Sequence, residues 1–172
     1  MKKTILIFKN GWYIFESIYK KIGIFSGVFV IIMMLGVTRE VIGRYFFNTP
    51  TNWVLELSGY LLVGLVFLGA PYTETIDGHV RVDFLYRKFS GKIKSFVDIV
   101  ISLISISWCG ILVWKGGEIA YDSWKFGIRS SDTMMWPLFY SQILVPIGCF
   151  LVILVLAANL VKAVRIFLKI GK

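Results

Sequence analysis

Residues 43–83 read GRYFFNTPTNWVLELSGYLLVGLVFLGAPYTETIDGHVRVD. Arg44 stands at the mouth of one apolar run, and the chain then turns through Asn48-Thr49-Pro50-Thr51-Asn52. It re-enters with Trp53 and Glu56, crosses on residues 61–70, and emerges at His79-Val80-Arg81-Val82-Asp83. This is a tight apolar hairpin with one charge just inside each limb and the chain's one histidine at its exit. Its two limbs are long enough to cross a bilayer, and the rest of the chain follows the same pattern.

Of 172 residues, 57% are hydrophobic, and the mean hydropathy is +0.75. A soluble domain of this size needs more polar surface, so the fold class is an all-α integral membrane protein. Four apolar runs are predicted as spans, at about 22–47, 53–76, 97–124 and 136–165, the last keeping its character to residue 168. Crossing ~30 Å of hydrocarbon takes about 20 helical residues. Every run meets that length, and the longer ones imply tilt or ends that stand beyond the bilayer. Residues 22–168 thus form one four-helix membrane domain. Residues 1–21 have lysines at both ends and aromatics at Phe8, Trp12, Tyr13, Phe15 and Tyr19. They are predicted as an amphipathic interfacial helix, because the apolar run 4–8 is too short for a signal peptide. A short amphipathic segment is expected on the inner leaflet between spans two and three, and residues 169–172 form a basic tail.

The net charge is +9, but the basic residues flank apolar runs instead of forming a stripe on a folded face. They read as topology determinants, and no nucleic-acid partner is expected. Fourteen of the nineteen lysines and arginines fall before span one, between spans two and three, or at the end of span four. The positive-inside rule therefore puts both termini and residues 77–96 in the cytoplasm. The 48–52 turn and the 125–135 loop then face outward.

Ionisable groups within a span cost ~2.5–3.5 kcal/mol on insertion scales unless paired or facing a polar interior. Arg44 and Glu56 lie six residues either side of Pro50, which makes an interhelical salt bridge the first reading. Glu40 with Arg44 is the (i, i+4) alternative, and interfacial snorkelling of both groups is a third. Lys115 and Glu118 are (i, i+3) neighbours, and Arg39 offers Glu118 a second partner from span one. All these charges lie toward one end of the spans, so no polar pathway crosses the membrane. Cys109 and Cys149 sit in separate apolar runs and read as buried free thiols. His79 reads as a local cap, with Asp83 at (i, i+4). Phosphate-cradling motifs are absent from the sequence, no nucleophile stands near His79, and haem ligation lacks a second histidine. No enzyme activity, cofactor or metal is expected, and a haem-bearing anchor of a respiratory oxidoreductase is the alternative function.

Several segments, in order, resemble one family: Arg44-Tyr45-Phe46, Trp53 with Glu56-Leu57, Phe67-Leu68-Gly69-Ala70 and Gly78-His79-Val80-Arg81-Val82-Asp83. Gly127-Ile128-Arg129-Ser130-Ser131, Trp136-Pro137-Leu138-Phe139-Tyr140 and Pro146-Ile147-Gly148 continue the pattern. Together they resemble the small membrane subunit, DctQ-like or Q, of the TRAP (tripartite ATP-independent periplasmic) transporters. The resemblance implies a bacterial inner-membrane protein whose partners are a large multi-span M subunit, a periplasmic substrate-binding P subunit and membrane lipid. It implies a bracing role in sodium-coupled uptake of an organic acid, such as a C4-dicarboxylate or sialic acid. On that reading Arg44, Trp53 and Glu56 hold the first hairpin, and His79 and Asp83 shape the inner turn. Lys125, Arg129 and Asp132 are candidates for docking the binding protein.

Overall fold

The computed structural model describes residues 2–76, 91–131 and 134–170, with side chains over 17–76, 93–131 and 134–168. The chain forms helices α1 (Lys2–Phe46), α2 (Trp53–Thr75), α3 (Gly91–Lys125), α4 (Phe139–Gln142) and α5 (Leu144–Ile170). Among the described residues, four stretches are long and apolar enough to cross a membrane: Ser17–Phe46, Trp53–Thr75, Ile93–Lys125 and Phe139–Leu168. Large apolar side chains point outward on every one of them, among them Phe25, Leu35, Leu62, Ile104 and Phe150. That inversion of the soluble pattern is what a lipid environment permits.

α1 is one continuous helix, so no break separates residues 2–21 from the first span. The helix ends where Asn48 takes a left-handed conformation (φ 53°). There the Gly43 carbonyl accepts hydrogen bonds from the amides of Phe47 (3.2 Å) and Thr49 (3.0 Å). Asparagine tolerates this conformation better than most residues, which suits it to stop a helix.

The two limbs of the hairpin pack by fitting large side chains over small ones. A methyl group at Gly64 would lie 2.7 Å from the Phe29 ring, and one at Gly23 would lie 2.6 Å from the Tyr72 ring. At Gly69 it would meet the Ser26 hydroxyl at 3.2 Å, and at Gly36 the Val54 side chain at 3.3 Å. Residue numbers rise along α1 as they fall along α2, which fixes the pair as antiparallel. Small residues that let helices approach are the usual source of cohesion where lipid removes the hydrophobic drive.

α5 joins this hairpin to α3. It runs parallel to α2, since Leu144 reaches Gly64 and Asn159 donates to Glu74 at 3.4 Å further along. The closest approach is at Gly148, where an added methyl would lie 2.3 Å from the backbone oxygen of Phe67. That oxygen is available because Pro71, four residues later and fully buried, has no N–H to give it. Gly116 of α3 packs on Val145 and Pro146 of α5, and Ala120 is wholly buried. The extended contacts of α1 are with α2, while α5 contacts both α2 and α3.

The last span starts at Phe139, three residues later than the sequence suggested, because residues 128–130 and 136–138 pair with each other first. The Ser130 amide donates to the Trp136 carbonyl (2.8 Å) and that of Leu138 to the Ile128 carbonyl (3.2 Å). The break between α4 and α5 at Ile143 follows from Pro146, which cannot donate to the Gln142 carbonyl and crowds it sterically.

Candidate functional site

One cluster of ionic groups lies at the end of the molecule that carries the 47–52 turn. Glu40, on the last turns of α1, is the hub. Its carboxylate accepts from Arg44 at 3.2 Å, from the Thr51 amide at 2.9 Å and from the Thr51 hydroxyl. Arg39 lies 3.9 Å from the same carboxylate and donates to the Thr51 hydroxyl at 3.0 Å. Its guanidinium also sits 5.7 Å above the Trp53 ring, within cation–π range. One acid thus ties the end of α1 to the turn and, through Arg39, to the start of α2.

The expected Arg44–Glu56 bridge is not formed. Val54 faces α1, and a helix turns about 100° per residue, so Glu56 points roughly 200° away from that seam. Arg44 instead pairs with Glu40, one helical turn back on its own helix. Glu56 is 8% exposed, and neither carboxylate oxygen has a hydrogen-bond partner among the described residues. It lines a cleft of about 270 Å³ with Leu55, Gly59, Tyr60, Val63, Ser130 and Ser141. The Tyr60 hydroxyl donates to the Trp136 carbonyl (3.4 Å), and the two rings meet edge to face at 6.0 Å.

Lys115 and Glu118 pair with each other at 2.7 Å on the exposed surface of α3. The alternative in which Arg39 reaches Glu118 fails because α1 packs on α2, and α3 lies beyond α5. Lys125 and Arg129 are exposed at the same end, Lys125 lying 5.4 Å over the Phe126 ring and Arg129 bridging to Pro137 through its backbone. His79, Asp83 and Asp132 lie outside the described residues. No group of three metal-ligating side chains occurs among the described residues.

Two features escaped the sequence reading. Cys109 and Cys149, from separate spans, are brought near each other where α3 meets α5. Gly64 and Gly69, whose spacing gave no seam by itself, do face α1. The signal lay in the partner helix, where Gly23, Ser26 and Phe29 supply complementary sizes.

The charges around Glu40, the cleft at Glu56 and the 126–138 segment all fall inside one family match. Residues 33–166 match the family described as tripartite ATP-independent periplasmic transporters, DctQ component. The chain belongs to this DctQ family. It is a multi-pass protein of the inner membrane, with four stretches fit to span it among the described residues. A relative in Pseudomonas aeruginosa, the C4-dicarboxylate TRAP transporter small permease protein DctQ, is 27% identical over 124 residues. That alignment covers 66% of this chain and 55% of the relative. A protein of Haemophilus influenzae named as a TRAP transporter small permease protein is 32% identical over 93 residues, 52% of this chain and 55% of that one. The chain thus aligns with about half the length of these curated relatives. Within the DctQ match lie the Glu40 hub, Trp53, Glu56, the Lys115–Glu118 pair and both proline sites, whereas most of the first helical turns of α1 lie before it.

Proposed function

We propose that this chain is the small, non-catalytic membrane subunit of a sodium-coupled TRAP secondary transporter. In this reading it braces the large multi-span subunit, which carries substrate and ion, and a periplasmic binding protein delivers an organic acid of the C4-dicarboxylate or sialic acid type. Both termini face the cytoplasm. The turn at 47–52 and the segment 126–138 face the periplasm, where Lys125, Arg129 and Asp132 help dock the binding protein. His79 and Asp83 shape the cytoplasmic turn.

The observation that carries the reading is the distribution of charge within a DctQ-family chain. The stretch from Leu57 to Thr73 on α2 has no acidic, basic or histidine side chain, and neither does the stretch from Ile99 to Trp114 on α3. Groups that move an ion or a carboxylate across a bilayer must recur through its thickness. Here those charge-free stretches separate the groups at the two ends of the spans, and the charges around Glu40 close a turn and neutralise one another, which suits a scaffold. A haem anchor finds no support in a chain with a single histidine.

The test is purification of the tagged chain from native membranes in mild detergent. A large multi-span protein should accompany it, and proteoliposomes holding both, with the binding protein added, should take up substrate. Recovery of the chain without that companion would overturn the reading.

A further inference from the structure

We propose that the cleft at Glu56 is the seat of a basic side chain carried by a membrane helix of the large subunit. The inference rests on the accessory-subunit reading and gives that subunit a specific contact surface. Glu56 is more than nine-tenths buried and has both oxygens unpartnered among the described residues. A carboxylate held away from water without a compensating group is strongly disfavoured, so native structures pair such groups or coordinate them. Arg44 and Arg39 are engaged at Glu40 and Thr51 and Lys115 at Glu118, while Arg129, next to the cleft-lining Ser130, is exposed and makes no hydrogen bond to Glu56.

The shape of the surroundings says what kind of occupant fits. Leu55, Gly59, Leu62 and Val66 share an arc of about 60° on α2, directly beside Glu56. Leu55 is 83% exposed, Leu62 52% and Val66 51%, and nothing lies within 4 Å of where a methyl on Gly59 would be. The apolar stripe starts at the cleft and continues down the span, so an occupant that pairs Glu56 from the membrane side lies along α2. A soluble partner meeting only the end of the helices cannot follow it. A helix laid on this stripe approaches closely at Gly59, and a lysine or arginine on it reaches the Glu56 carboxylate through the cleft lined by Leu55 and Val63. The cleft, about 270 Å³, has room for a guanidinium or ammonium group with part of its stem.

The experiment co-expresses the full chain with its large subunit and measures how much large subunit the tagged chain retains through detergent washes. Glu56→Gln, close to the same shape, should lower retention at least about tenfold, because the partner's cation is left unpaired. The same variant purified alone should be as thermally stable as wild type or more so, since an uncompensated carboxylate has been removed. Glu56→Arg should abolish retention, and exchanging one lysine or arginine in the membrane spans of the large subunit for glutamate should restore it. Wild-type retention with Glu56→Gln overturns the proposal, as does a loss of stability of the isolated variant, which would mean a partner within the chain. It is equally overturned if no charge exchange rescues, if the effect needs phosphatidylethanolamine, or if a second tagged copy of this chain is what the variant loses. Failure of the wild-type chain to retain any large subunit would instead sink the accessory-subunit reading itself.

Discussion

Gly148→Ala is the most informative single change, because the structure makes its cost countable. Pro71 leaves the Phe67 carbonyl without its intrahelical donor, and α5 presses a glycine against that oxygen. The hydrogen that stands where a side chain would begin points at the oxygen, a weak C–H···O contact of about 0.5–1 kcal/mol. A methyl there would lie 2.3 Å from the oxygen and 2.7 Å from its carbon. The helices must separate by roughly 0.7 Å or more before the contact is tolerable, and the obstacle is backbone, which cannot rotate away. Overpacking of this kind costs about 1–3 kcal/mol. Glycine-to-alanine exchange also raises helix propensity by about 0.5–1 kcal/mol, so the comparison must cancel that gain. Gly110→Ala in α3 does so, since nothing lies within 4 Å of the added methyl. In thermal unfolding of the detergent-solubilised chain, Gly148→Ala should fall below Gly110→Ala by that 1–3 kcal/mol. At roughly 2–4 °C per kcal/mol for a chain of this size, the gap is several degrees. Equal melting temperatures would refute the close approach of α2 and α5, and with it the join between the two helix pairs.

Three further outcomes are expected. Glu40→Ala should lower the melting temperature more than Glu118→Ala, because Glu40 collects Arg44 and both donors of Thr51 whereas the exposed Lys115–Glu118 pair is worth under about 1 kcal/mol; calorimetry or dye-based unfolding decides between them. A short thiol-bridging reagent should join Cys109 to Cys149 within one chain, and Cys109→Ser should abolish the product on mass spectrometry. Charge reversal at Lys125 and Arg129 together should weaken binding-protein-dependent uptake while leaving co-purification with the large subunit unchanged; unaltered uptake removes the docking role.

The architecture was legible because membrane spans announce themselves by length and composition, and the Asn48–Asn52 turn sits between two such runs. The ionic site was legible only in part. Distance from Pro50 put Arg44 and Glu56 at the same depth, but depth says nothing about direction around the helix. That direction is set by which residues face α1, and Val54 took the place that a paired Glu56 would have needed. The (i, i+4) pair of Arg44 with Glu40 is encoded within one helix and is therefore readable from spacing alone. Contacts between distant spans, such as Gly148 on Phe67 or Cys109 beside Cys149, depend on the order in which helices pack. Nothing in the individual apolar runs specifies that order.

This polypeptide by itself is expected to offer no route across the bilayer. Flux of labelled sodium and of a C4-dicarboxylate or sialic acid should be followed in sealed proteoliposomes containing the purified chain alone. Rates indistinguishable from those of protein-free vesicles are predicted, with transport arising only when the large subunit and binding protein are added. A saturable flux through the lone chain would show that it does offer one.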